Sequence, residues 1–217
     1  CVSGACVYDL KEKKTLYSQA LDPGIVKKLM EFALEEEAMI HVLSERSIVQ
    51  RDQQSHMADF HMGIYQTMFD KITDKLENIY NSFCQEPFPV LKLNLYHKDE
   101  YSRARTVERI KAAGLETALA LAESTSLECS AKGIDKGVGL KKLCEHLGLP
   151  LEQTIAVGDA DNDTMALKTA GLSIAMGNAT EPIKALADVI VADCDHNGCA
   201  EAIDKYLLAE NWPQKPV

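Results

Sequence analysis

Apolar positions recur along this chain in changing rhythms, and the pattern shifts near residue 132. Ser3 to Asp9 reads as a turn and then a strand. Asp22-Pro23 opens a helix, because Asp is a good N-cap and Pro suits the first helical position. Val26, Leu29, Met30 and Ala33 follow at helical spacing, so one face of that helix is buried. Ala38 to Leu43 reads as a strand. Tyr65, Met68, Phe69, Ile72, Leu76, Ile79 and Phe83 then recur every three or four residues, which predicts one long amphipathic helix from Met62 to Phe83. Leu91, Leu93 and Leu95 alternate with Lys92, Asn94 and Tyr96, the mark of a half-buried strand over 90–96. A helix over 100–113 ends at Gly114, and strands follow at 117–122 and 127–131.

After residue 132 strands and helices alternate. Leu140, Leu143, Cys144 and Leu147 make one face of a helix. Then come a strand at 154–157, a helix at 162–170, a strand at 172–176, a helix near 181–186, a strand at 189–191 and a helix at 198–208. That alternation predicts an α/β fold with a parallel, doubly wound sheet. The mixed stretch before it predicts antiparallel pairing. The chain therefore divides into a segment at 1–19, a mixed α+β stretch at 20–131, and the α/β part at 132–217.

Composition adds limits. The 217 residues are 46% hydrophobic and 26% charged, an ordinary globular balance. The net charge of −10 argues against a nucleic-acid surface. No stretch approaches the roughly 18 apolar residues of a membrane span. Seven cysteines form no even framework, so free thiols in the cytoplasm are expected. His41, His56 and His61 match no metal-ligand spacing. Cys194 and Cys199 are not spaced as a usual zinc pair, and Cys199 is expected as a buried thiol.

Candidate chemistry gathers at Thr154-Ile-Ala-Val-Gly158-Asp159-Ala-Asp161-Asn162-Asp163. A short apolar strand ends at Gly158, and three carboxylates follow before a helix starts. Ligands of open α/β sheets bind at the carboxyl ends of strands. Carboxylates there, beside a helix N-terminus, can hold a hard cation and face a phosphate. Asp159 and Asp163 lie four residues apart across the turn and can converge on one Mg²⁺; the bland alternative is a solvated acidic turn. Asn162 can equally be an N-cap.

The Gly158-Asp159-x-x-Asn162-Asp163 motif resembles the GDxxND signature of the haloacid dehalogenase-like (HAD-like) phosphatases. Gly133-Ile-Asp-Lys136-Gly137 resembles the lysine motif of their Cof-type branch. Ala175-Met-Gly-Asn-Ala179, Ala187-Asp-Val-Ile-Val191 and Asn197-Gly198 follow in that branch's order. The resemblance implies a Rossmannoid parallel sheet core, partial in this chain, with 20–131 as an inserted α+β cap. It implies Mg²⁺ on Asp159 and Asp163, Lys136 as a catalytic residue, and Asn162 with Lys136 on the phosphate. Ser3 stands where the branch has the asparagine of Asn-Gly-Ala, so its hydrogen bond to substrate is a weaker expectation.

The family's nucleophilic aspartate belongs to an Asp-x-Asp motif on its first strand, expected upstream of Cys1. Asp159-Ala-Asp161 is not that motif, because the family's version continues Gly-Thr and this one continues Asn162-Asp163. The implied activity is hydrolysis of small phosphorylated metabolites, sugar phosphates foremost, by a monomer or weak homodimer with no nucleic-acid or membrane partner. Two alternatives stand beside it: a Mg²⁺-binding fragment without the nucleophile, and a phosphomutase of the same superfamily.

Overall fold

The structure is a computed structural model and describes residues 1–208. The tail at 209–217, assigned above to the α/β part, lies outside the described residues. After a tight turn at Val2–Gly4, β1 (Cys6–Asp9) and β2 (Lys14–Ser18) form an antiparallel hairpin. A mixed region follows: α1 (Pro23–Glu35), β3 (Met39–Leu43), β4 (Ser47–Gln50), α2 (Arg51–Ser55), α3 (Gln66–Ile72), β5 (Asp74–Leu76), α4 (Ile79–Gln85), β6 (Lys92–Tyr96), α5 (Glu100–Ala112), β7 (Thr117–Ala122) and β8 (Ser126–Ala131). The last region alternates: α6 (Lys136–Leu147), β9 (Ile155–Gly158), α7 (Thr164–Thr169), β10 (Leu172–Ala175), α8 (Glu181–Leu186), β11 (Val189–Ile190) and α9 (Gly198–Ala202).

Two sheets carry the architecture. The middle region is one six-stranded sheet in the order β5-β4-β3-β6-β8-β7, antiparallel except for β4 beside β5. One face presents Ile40, Val42, Leu93, Leu95, Leu127 and Cys129 to α1, α4 and α5, and this is the largest core. The last region is a parallel sheet in the order β11-β10-β9. Its register sets Gly158 beside Ala175, so the carboxyl ends of β9 and β10 finish level. β9 is the edge strand there, and its Val157 is 39% exposed.

Three expectations are corrected. The single helix over Met62–Phe83 is instead a turn, α3, β5 and α4. The apolar periodicity misleads because Ile64, Met68 and Ile72 point to solvent. Thr73 is extended, β5 pairs with β4, and Asn78 begins α4 by accepting the amide of Asn81 at 2.8 Å. The strand at β6 is buried on both faces, because a second cluster of Met39, Val49, Met57, Phe60, Met62, Phe69 and Tyr96 covers part of its polar side. Cys199 is exposed and touches Met176 sulfur to sulfur at 3.7 Å.

Leu95 is fully buried at the centre of the six-stranded sheet. Leu95→Ala should lower unfolding free energy by about 2–5 kcal/mol, through lost transfer energy and the cavity left behind. Urea unfolding of the two proteins measures this; a change within experimental error would mean that the site collapses around the smaller side chain.

Candidate active site

The site is built on the level ends of β9 and β10. Asp159, Ala160 and the turn Asp161–Asp163 leave β9, and the segment Met176–Ala179 leaves β10. Two backbone bonds hold these loops together, from the Met176 amide to the Gly158 carbonyl (3.0 Å) and from the Thr180 amide to the Asp159 carbonyl (3.3 Å).

Asp163 folds back over the strand end. Its Oδ2 accepts the amides of Asp159 (3.0 Å) and Ala160 (3.2 Å). Its Oδ1 accepts from Lys136 Nζ at 2.5 Å. This return path explains the glycine of the motif: a Cβ on Gly158 would lie 2.5 Å from the Cβ of Asp163. Asp163 is 8% exposed. Burial pushes its carboxyl pKa up, but the Lys136 ammonium and the two amides outweigh that and hold it below the usual value.

Lys136 is the first residue of α6. Asp135 caps that helix by accepting the amide of Val138 at 2.9 Å, which fixes where the lysine side chain leaves the helix. Its Nζ donates to Asp163 and to Asn162 Oδ1 (3.3 Å). An ammonium has three N–H donors, so one remains. Lys136 opens onto a cleft of about 330 Å³ between β7 and β8 on one side and the turn at 161–165 on the other. Glu128, Ser130, Asp161 and Thr164 share this cleft.

The two carboxylates expected to hold the metal are placed differently. Asp163 does not stand free beside Asp159, because both its oxygens are taken by the ammonium and the amides. Asp159 is exposed and accepts one neutral donor, Asn178 Nδ2 at 3.2 Å. An exposed carboxylate with oxygens to share suits a hard cation. Among the described residues no group of three His, Cys, Asp or Glu side chains could hold a metal ion. Ser3 lines the cleft, but its hydroxyl is engaged: it donates to Glu128 Oε2 (3.1 Å) and accepts from Lys92 Nζ (3.0 Å).

Sequence reading missed Glu128, Lys92 and Asn178. Lys92 pairs with Glu128 at 3.0 Å, with side chains 8% and 14% exposed. Nothing local in the sequence announces that pair, because the partners are on neighbouring strands 36 residues apart in the chain. Asn178 was in view as part of Ala175–Ala179, without a role.

The family model for haloacid dehalogenase-like hydrolases matches residues 1–203. The chain belongs to that family. It is 33% identical over 150 residues to a phosphoglycolate phosphatase of Methanosarcina acetivorans, with 66% of each chain covered. It is 35% identical over 118 residues to the Bacillus subtilis 5-amino-6-(5-phospho-D-ribitylamino)uracil phosphatase YcsE, covering 54% of this chain and 47% of that one. The structure of a haloacid dehalogenase-like hydrolase from B. subtilis superposes with a TM-score of 0.79 at 23% identity, covering 95% of this chain and 78% of that one. The matches span about half and about two thirds of these two curated relatives' lengths.

The lowered pKa of Asp163 gives a stability test. The ionised carboxylate is favoured by folding, so its contribution is full above the ordinary value of about 3.9 and is lost as pH falls through the lower folded value. Asp163→Asn should cost about 1.5–3 kcal/mol at pH 7, the range for hydrogen bonds to charged groups. The gap between variant and wild type should begin to narrow below about pH 4 and close only once the pH is under the lowered folded value. Urea unfolding at pH 7 and at steps down to about pH 2 checks both; a gap independent of pH would remove the ion pair from the account.

Proposed function

We propose that this chain supplies the electrostatic half of a Mg²⁺-dependent phosphatase site for small phosphorylated metabolites, with sugar phosphates as the substrate class. The observation that carries this reading is the Lys136 ammonium, held by Asp163 and Asn162 at the mouth of the cleft with one donor left over. The family supports it, and so do relatives named for phosphoglycolate and for a phosphoribitylaminouracil.

In this reading a phosphate monoester enters the cleft with its phosphoryl oxygens toward Lys136. The free N–H meets the oxygens that gain negative charge in the transition state. Asp163 is a positioning residue: it fixes the ammonium and ties down the β9 turn. Asp159 would hold the Mg²⁺, which when bound supplies positive charge against the phosphate. One carboxylate with substrate oxygens and water is an ordinary ligand set for this ion.

The nucleophile is an aspartate outside these 217 residues, on a strand that the exposed edge of β9 has room to pair. Its carboxylate oxygen forms the bond to phosphorus as the ester oxygen leaves, protonated by a neighbouring acid. Water then attacks the aspartyl-phosphate and returns phosphate and the free carboxylate. The six-stranded region acts as the cap that selects the leaving group. We place the enzyme in the cytoplasm, as a monomer or weak homodimer.

The test is release of inorganic phosphate by the full-length protein. Lys136→Ala should lower kcat/KM about 10²–10³-fold. Asp159→Asn should do the same and raise the Mg²⁺ concentration needed for half-maximal rate. Turnover unchanged by both substitutions would sink the assignment. Isomerisation of a sugar phosphate without phosphate release would favour the mutase reading.

A further inference from the structure

The phosphate chemistry gives no role to the turn Cys194–His196, which lies beyond β11. In the structure this turn reaches the acidic end of β9 through one side chain, Asn178. Asn178 stands on the segment that leaves β10. The amide of Gly177, just before it, donates to the Ala192 carbonyl at 3.1 Å and lays that segment against the approach to the turn.

The turn closes on Asp193. Its Oδ1 accepts the amides of Asp195 (3.0 Å) and His196 (2.9 Å), and bonds the His196 ring at Nδ1 (2.6 Å). The first amides of a helical turn have no partner inside it, and this cap leaves the Cys194 amide over. That amide donates to Asn178 Oδ1 at 3.0 Å. A backbone N–H is a donor only, so the carbonyl end of the Asn178 side chain is fixed toward Cys194. The NH₂ end then faces Asp159, and Nδ2 donates to its Oδ2 at 3.2 Å. The backbone at Cys194 thus decides which way round the Asn178 amide sits.

The main chain of Asp159 is already held on both sides. Its amide donates to Asp163 Oδ2 (3.0 Å), and its carbonyl accepts the Thr180 amide (3.3 Å). What remains to be set is the rotation of its exposed carboxyl group. Asn178 takes one oxygen with a neutral donor and leaves Oδ1 for a cation. An ammonium in that place would neutralise the carboxylate, whereas an amide orients it and keeps its charge. Mg²⁺ takes only one or two protein carboxylates, so the direction of each weighs on affinity. Side chains behind a metal ligand fix its direction in this way.

We infer that Asn178 is a positioning residue for the cation, aiming Asp159 Oδ1, and that the turn Cys194–His196 sets Asn178 through the Cys194 backbone amide. The inference rests on Asp159 as the Mg²⁺ ligand of the phosphatase reading. Asn178 acts through Asp159 and touches neither the cation nor the phosphate.

Mn²⁺ binding to the full-length protein, followed by the EPR signal of the free ion, tests both links without turnover. Asp159→Asn should abolish the site. Asn178→Ala should weaken Mn²⁺ binding about 10–100-fold, the range for residues behind a metal ligand. The same factor should appear in the Mg²⁺ concentration for half-maximal phosphate release. Cys194→Pro removes only the amide that orients Asn178. Proline suits the first position of the turn, and Asp193 before it is already extended, with φ −77° and ψ 179°. This variant should weaken Mn²⁺ binding about 3–10-fold, the loss of one backbone hydrogen bond. Cys194→Ala keeps the amide and should match the wild type.

Loss of Mn²⁺ binding in Asp159→Asn, with wild-type affinity in Asn178→Ala, would overturn the positioning role and keep Asp159 as the ligand. Wild-type affinity in Asp159→Asn would sink the ligand and the role of Asn178 together. A purely structural Asn178 would show as a lower urea midpoint with Mn²⁺ affinity unchanged, which also contradicts the proposal. Equal weakening in Cys194→Pro and Cys194→Ala would tie the effect to the cysteine side chain and remove the backbone link. If Asn178→Ala does not fold, the two Cys194 variants decide the matter.

Discussion

Everything at this site depends on one ion pair under steric constraint. Asp163 must reach back over the end of β9 to meet Lys136, and only a glycine at 158 leaves room for it. The same carboxylate takes the amides of Asp159 and Ala160, so one side chain closes the turn and fixes the ammonium together. A lysine is a flexible point charge, and holding it in one place is what makes it useful against a phosphate. The division of labour between two neighbouring aspartates follows. Asp163 is occupied by the protein, and Asp159 faces outward with oxygens to share.

A second constraint joins the two regions of the chain. The Val2–Gly4 turn packs on the start of α6 so closely that a Cβ on Gly4 would lie 1.8 Å from the Asp135 carbonyl oxygen. The same turn carries Ser3, which bridges Lys92 and Glu128 on the six-stranded sheet. That buried pair is weak evidence for stability, because desolvation offsets most of its Coulomb energy. Its effect is to keep the polar face of the sheet turned toward the cleft with its charges already neutralised.

The alternation of strands and helices after residue 132 was legible because each element there is short, strongly patterned and bounded by Gly, Asp or Pro. The acidic turn and its lysine were legible as a motif. The role of Asp163 was not, since spacing alone cannot say which of two carboxylates folds back. The break inside 62–83 was hidden because exposed Met68 and Ile72 complete a helical rhythm that the core does not use. The buried polar row of Asn94 and Glu128 was hidden for a related reason. Alternation in β6 marked Lys92, Asn94 and Tyr96 as the solvent side, and only tertiary contact shows them covered.

The most direct measurement is a crystal structure of the full-length protein with Mg²⁺ and a phosphate analogue such as orthovanadate. The account predicts the cation with Asp159 in its inner shell, Asp163 still on Lys136, and an analogue oxygen within hydrogen-bond distance of the third Lys136 donor. A cation ligated directly by Asp163, with Lys136 released from it, would contradict the central claim.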